Sequence, residues 1–398
     1  MESIPYLRSV SVGVWVKAGS MLERPSENGL SHFMEHMAFK GTHSRSARQL
    51  AEEMDAVGGH MNAATSKLCT NYYIKVIDDD LPLALDILSD LVINPALDPH
   101  ELEKEKGVVL EEIMMVEDTP EDVVYDVLAK AVYGDQALGQ TILGEPELIK
   151  GYTAADVKAF RNRHYGPKNA VVSLAGHFDP DAIRDQLERY FGAWEGPEGE
   201  PYPYTVAVAE EKNLCKDKAT EQVHLCIGYR GLPMGSPYVY RNAVMNSILG
   251  GGLSSRLFQR IREELGLAYS VYTGPEAYPG CGDYSIYAAT TPKHAKKVLE
   301  QIDVEMQKLL RDGVTEKEFT HAKAQLKGSF ILGLESAFNR MNNMGSNMMM
   351  LGRVIDPDDT IRAIDRVTAD DVMAAVHDLV HAPRCIAVVG KNAHKYLP

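Results

Sequence analysis

Residues 153–157, TAADV, return as TADDV at 368–372, and each copy is followed by a helical segment, a proline and an apolar strand, NAVVSLAG in one and CIAVVG in the other. The strand-like run SVSVGVWV finds a counterpart in QVHLCIGY, 222–229. GLSHFMEH at 29–36 aligns with GLSSRLFQ at 252–259. Matching segments in the same order mean that the chain is two copies of one supersecondary plan. At 398 residues there is enough chain for a full core in each copy. The Pro/Gly/Glu-rich stretch GPEGEPYPY, 196–204, is the connector between them, which predicts a first domain over 1–195, a linker, and a second domain over 205–398.

Within the first copy, Val10, Val12, Val14 and Val16 alternate with small residues and Trp15, the pattern of a strand with one strongly apolar face. A helix is expected over 44–57, closed by Gly58 and Gly59, then two strands, HMNAATSK and LCTNYYIKVI, and an apolar helix over 81–93. Asp98-Pro99-His100-Glu101 reads as a helix start, with Asp98 as cap, Pro99 in the first turn and Glu101 closing a capping box. That helix should run to about Val116 and carries Glu105 and Glu112, two turns apart and so on one face.

The chemistry concentrates in LSHFMEHMAFKGT, 30–42. As a helix it puts Leu30, Phe33, Met34, Met37 and Ala38 on a core-facing stripe and His32, Glu35 and His36 on another. Two imidazoles four residues apart lie one above the other and can share a metal ion, with Glu35 beside them to take a proton from water. This is H-x-x-E-H, the inverse of the H-E-x-x-H order of thermolysin-like zinc proteases. The plain alternative is a helix with two ordinary histidines. In the second copy Ser255 and Gln259 stand where His32 and His36 stand in the first, so the metal site is expected once per chain. For the third ligand, spacing alone leaves Glu111 and Glu112 open. His60 reads as a loop histidine, and NMGSNMMM, 343–350, as a core or chamber-lining helix rather than a copper site.

Lys and Arg number 41 against 56 Asp and Glu, a formal charge of −15, which argues against nucleic acid or an anionic membrane as partner. No apolar run approaches a membrane span, and MESIPYLRSV lacks the layout of a secretory signal. Five scattered cysteines without a C-x-x-C pair fit free thiols in a reducing compartment; a cytoplasmic location is expected.

Three separated motifs, HFMEHMAFKGT, EKGVVLEEI and GGGLSSRLFQRIREELGLAYSVY, make the chain resemble the pitrilysin/insulinase family of zinc peptidases, among its bacterial members similar to processing peptidases. The resemblance implies an α+β fold of two homologous domains, each a mostly antiparallel sheet with helices packed on one face. It implies one Zn2+ per chain on His32, His36 and Glu112, with Glu35 as general base and Glu105 as a supporting carboxylate. Arg262 and Tyr269 would hold the substrate backbone, and Asn62, Ala63, Ala64 and Thr65 would form an edge strand to which an extended peptide adds. Family members begin with a further strand before the one matching 9–17. Either the start is incomplete or the first sheet has lost that edge, while the second copy keeps its version at Thr205–Asn213.

The resulting expectation is a zinc endopeptidase acting on peptides or unfolded segments in a chamber enclosed by a homodimer. Two rivals are a processing-type subunit that needs a different partner chain and a non-catalytic scaffold that holds extended peptides.

Overall fold

A computed structural model describes residues 1–203, 205 and 212–398. The chain divides into two compact units: Met1–Ile113 with Thr141–Pro203 and Leu332–Ile355, and Met114–Gln140 with Tyr204–Ile331 and Asp356–Pro398. Residues 114–140 of the first half thus belong to the second unit, and 332–355 of the second half to the first.

The first unit is built on strands β1 (Glu2–Ser3), β2 (Ser9–Val16), β3 (His60–Thr65), β4 (Thr70–Ile77) and β5 (Ala170–Gly176), in the order β1-β5-β2-β4-β3. Only β1 runs parallel to its neighbour; the other pairs are antiparallel. The second unit repeats this order with β6 (Asn213–Asp217), β7 (Val223–Arg230), β8 (Ala268–Tyr278), β9 (Cys281–Thr290) and β10 (Arg384–Gly390), as β6-β10-β7-β9-β8 with β6 parallel to β10. The edge expected to be missing from the first sheet is present in short form, because Glu2 and Ser3 pair with Ala175 and Gly176. In the second copy the expected strand Thr205–Asn213 falls largely outside the described residues, and β6 takes that edge.

The helices of the first half are α1 (Leu30–Ala38), α2 (Ala47–Ala56), α3 (Leu81–Ile93), α4 (Pro99–Glu117), α5 (Pro120–Tyr133), α6 (Pro146–Gly151), α7 (Ala154–His164) and α8 (Ile183–Phe191). Those of the second are α9 (Val239–Leu249), α10 (Ala295–Asp312), α11 (Glu316–Gly333), α12 (Ala337–Leu351), α13 (Pro357–Arg366) and α14 (Ala369–Val380). The repeated TAADV and TADDV open α7 and α14 with the same device. Thr153 and Thr368 accept from the third helical N–H, while Asp156 and Asp371 accept from the capping residue's own N–H at 2.8 and 2.9 Å. Asp98 caps α4, accepting from His100 and Glu101, but Glu101 does not return the favour: its carboxylate pairs with Lys104 at 2.6 Å.

The alternation in β2 decides the layering of the first unit. Its four valines are buried against α1 and α3 in one cluster with Phe33, Met34, Met37, Leu85 and Leu88. Each such side chain contributes about 1.5–3 kcal/mol by leaving water. Gly13 and Trp15 face the other way, where α12 lies: Met341 packs on Trp15, and a Cβ at Gly345 would overlap the indole ring. The methionine-rich segment is therefore a packing helix. The second unit is layered alike, with Leu225, Ile227, Ile286 and Val388 facing α9, α10 and α14. Its opposite face carries α5, whose Leu128 and Val132 lie over Gly228 and whose Tyr133 hydroxyl donates to Asp283 at 2.6 Å. In each unit the main helical layer occupies one sheet face, and a single helix from the other half of the chain covers the second.

The repeat breaks at one place. GLSSRLFQ does not reproduce α1. Residues 251–255 bend instead, and Phe258–Glu264 forms a π-helix. Ser255 and Gln259 donate to the carbonyls of Gly252 and Leu253, at 2.5 and 2.7 Å, closing the local turn.

Candidate metal centre

Burial of Leu30, Phe33, Met34 and Met37 fixes the rotation of α1, leaving His32, Glu35 and His36 on the stripe that looks toward α4 and β3. On α4 the inward stripe is Leu102, Glu105, Val109 and Glu112, whereas Glu111 is exposed. Of the two neighbouring glutamates, Glu112 is the one on the face that the apolar residues bury.

His32 Nε2 and His36 Nε2 lie 3.2 Å apart, and Glu112 Oε2 is 3.6 Å from the first and 3.3 Å from the second. Corners of a tetrahedron drawn about 2.0–2.1 Å from a zinc ion are about 3.3 Å apart, so the three atoms are spaced as three ligands of one ion. Among the described residues this is the one group of three or more such side chains gathered closely enough to hold a metal. Two imidazoles and a carboxylate are also a donor set suited to zinc.

The surroundings polarise the set unequally. Glu105, 4 % exposed, accepts from His36 Nδ1 at 2.8 Å and from Lys40 Nζ at 2.6 Å. Burial alone would raise the Glu105 carboxyl, but His36 and Lys40 outweigh it and hold it below its ordinary range. His36 is pulled down by burial yet carried above its usual value by Glu105, Glu112 and Glu35. His32 is lowered to about 4 by burial and by the charge of His36, and its buried Nδ1 has no partner among the described residues. Glu35 is raised, chiefly by burial, although Thr65 Oγ1 donates to its Oε2 at 2.5 Å. A carboxylate that holds its proton more tightly than usual, beside a metal set, is fitted to shuttle protons.

Thr65 ends β3, the outer strand of the first sheet, and also contacts Thr70 Oγ1 at 3.1 Å. Asn62 and Ala64 are exposed there. The Ala63 N–H donates to the Asn62 side chain at 2.8 Å. His60 is exposed at the start of β3, not in a loop. Arg262 and Tyr269 belong to the second unit, where the structure brings them together: the guanidinium lies 4.7 Å from the Tyr269 ring centre and 4.8 Å from that of Phe258. Tyr269 is 72 % exposed, so it is not a core residue.

Residues 1–146 match the family model described as Insulinase (Peptidase family M16), and 151–326 match that of the Peptidase M16 inactive domain. The uncharacterized zinc protease YmxG of Bacillus subtilis is 40 % identical over 394 residues, covering 99 % of this chain and 96 % of its own. The chain belongs to the insulinase (peptidase M16) family. Another relative, the uncharacterized zinc protease SCO5738 of Streptomyces coelicolor, is 38 % identical over 98 % of this chain and 86 % of its own. A protease from Helicobacter pylori superposes with a TM-score of 0.91 at 21 % identity, over 98 % of this chain and 96 % of that one, which shows the shared fold.

Two residues of this family member escaped the sequence reading. Glu23, buried before α1, accepts from the N–H groups of Gly29 and Ser31 at 2.9 and 2.7 Å and from Asn28 Nδ2 at 3.3 Å. Burial pushes its carboxyl up to about 7 against those donors, and it anchors the start of the histidine helix. Lys40 holds the far oxygen of Glu105. Its signal was faint: it stands four residues after His36, in the turn that follows α1. Lys40→Met, which keeps the stem and removes the charge, is expected to weaken zinc binding about 10-fold, and Glu105→Gln by about 10–100-fold, the usual range for groups that orient a ligand. Competition with a chromophoric chelator measures both.

Proposed function

We propose that the chain is a zinc-dependent endopeptidase that hydrolyses peptides or unfolded segments bound in extended form. The observation that carries this reading is the convergence of His32, His36 and Glu112 at zinc-ligand spacing with Glu35 alongside. The names of the relatives support it. His32, His36 and Glu112 would hold one Zn2+, which when bound supplies Lewis acidity that eases loss of a proton from water and polarises a carbonyl.

The chain's own residues do the remaining work. Glu35 takes the proton of the attacking water and returns it to the leaving amine, helped by burial that keeps its carboxyl readily protonated. Glu105 and Lys40 fix His36 with its proton on Nδ1, leaving Nε2 free to coordinate. The edge strand Asn62–Thr65 receives the substrate as an added strand, bonding its backbone and so making few demands on its sequence. In doing so the peptide displaces the Asn62 side chain from the Ala63 N–H. Arg262 and Tyr269, stacked together, bind the substrate backbone, and the Tyr269 hydroxyl supplies a neutral donor for the oxyanion. The first homologous half, 1–195, carries the metal and the second, 205–398, lacks it, so that one ion binds per chain inside a chamber formed by a homodimer. Among the described residues no helix is long and apolar enough to cross a membrane. The acidic balance and scattered cysteines favour action in the cytoplasm.

The test is metal analysis of the purified chain with cleavage of a peptide panel mapped by mass spectrometry. About one zinc per chain and internal cleavage abolished by chelator and restored by Zn2+ are expected. Cleavage indifferent to chelator overturns the assignment, and bound zinc with intact peptides favours the scaffold.

A further inference from the structure

Behind the histidine helix, in the first unit, a cavity of about 340 Å³ opens between the loop before α4 and the first turns of α7. Its polar lining is basic: His43, Lys158 and Arg161, with no carboxylate among the residues that line it. In a chain of formal charge −15 that is an unusual local balance.

The nearby acids are already engaged. Asp156 accepts from Thr153 N and Oγ1 at 2.8 and 2.6 Å. Asp98 caps α4, and Asp90 accepts from Thr42, Ser44 and Arg45. Among the described residues the partners of Arg161 are neutral, the Ile93 carbonyl and Asn162 Oδ1, and its buried Nε has none. Desolvation lowers its basicity, as it must for a half-buried guanidinium without a counter-ion. Uncompensated charge of this kind is costly, and a bound anion removes the cost.

The cavity is also held open. Leu97, in its wall, has φ of 48°, a left-handed conformation that a leucine adopts only when its surroundings impose it. The loop is pinned by Ala96 N to Gly41 O at 2.9 Å and by His43 N to Asn94 O at 3.0 Å. Ala154 and Ala155 in the wall are the first two residues of α7, whose N–H groups precede the helix's own hydrogen-bond ladder.

We propose that this cavity binds a small organic phosphate, its dianion placed among Arg161, Lys158 and His43 and its body against the apolar wall at Leu97. The volume suits a small molecule rather than a peptide chain. Three potential cations favour a dianion over a carboxylate. The proposal does not depend on the peptidase reading.

The zinc-loaded full chain is titrated calorimetrically with phenyl phosphate, inorganic phosphate, benzoate and phenol. Phenyl phosphate is expected to bind one per chain, more tightly than inorganic phosphate or benzoate, with no heat from phenol. Lys158→Glu combined with His43→Glu, both exposed and so tolerated by the fold, should weaken it at least about 10-fold. Hydrogen exchange should slow at 93–97 and 154–158 on binding. Absence of binding at about 10 mM overturns the proposal. So does equal binding by the double variant, which would place the phosphate at the metal centre instead. Tighter binding of inorganic phosphate than of phenyl phosphate would reject the apolar wall as part of the site.

Discussion

Glu35→Gln is expected to lower turnover of a quenched peptide by about 10²–10⁴-fold, the range that a positioned proton-transfer group contributes. Zinc content and peptide affinity should stay near the wild-type values, because Glu35 is not among the three clustered side chains and its carboxylate accepts instead from Thr65. The substitution preserves shape and the ability to accept from Thr65 while abolishing basicity. It therefore separates proton transfer from binding. Fluorescence anisotropy with a labelled peptide, run beside turnover assays and metal analysis, reads all three quantities. Wild type and variant cleaving at equal rates would remove Glu35 from the mechanism and leave the scaffold reading in place.

A second large effect is expected at Glu112. Glu112→Ala leaves two imidazoles with nothing at the third corner, and zinc should be lost on gel filtration, with activity falling further than the 10–100-fold typical of an outer partner. Glu111→Ala, one residue earlier, should retain both zinc and activity, since that side chain is exposed on the opposite side of α4. Added Zn2+ in excess should partly rescue Glu112→Ala if the loss is one of affinity. Equal loss in both variants would mean that helix stability, rather than coordination, had been measured.

The contrast between these two glutamates shows where the sequence was legible. Spacing put Glu105 and Glu112 on one face but left Glu111 open beside it; the burial of Leu102 and Val109 on that same face is what the fold adds. The same periodicity put His32 and His36 on a different stripe from Phe33 and Met37, and the return of TAADV as TADDV announced the duplication. Glu23 was invisible because its partners are backbone N–H groups of a helix start, a contact that depends on how the intervening loop turns. Lys40 needed its partner Glu105 to be meaningful, and that lies 65 residues away on a different helix. The alignment of GLSHFMEH with GLSSRLFQ does not carry over to local structure, because Ser255 and Gln259 donate to nearby backbone carbonyls and a π-helix spans Phe258–Glu264. The covering of the second sheet faces by α12 and α5 was equally hidden. Periodicity reports that a helix has an apolar side, not which sheet receives it.

That exchange has a consequence during synthesis. β5 completes the first sheet at Gly176, but the helix that covers Trp15 is not finished until Leu351, 175 residues later. At translation rates of about 5–20 residues per second, a nascent chain would carry that indole face open to water for roughly 10–35 s. The emerging polypeptide is thus obliged to wait for its own tail, and during that interval it is a natural client for chaperones.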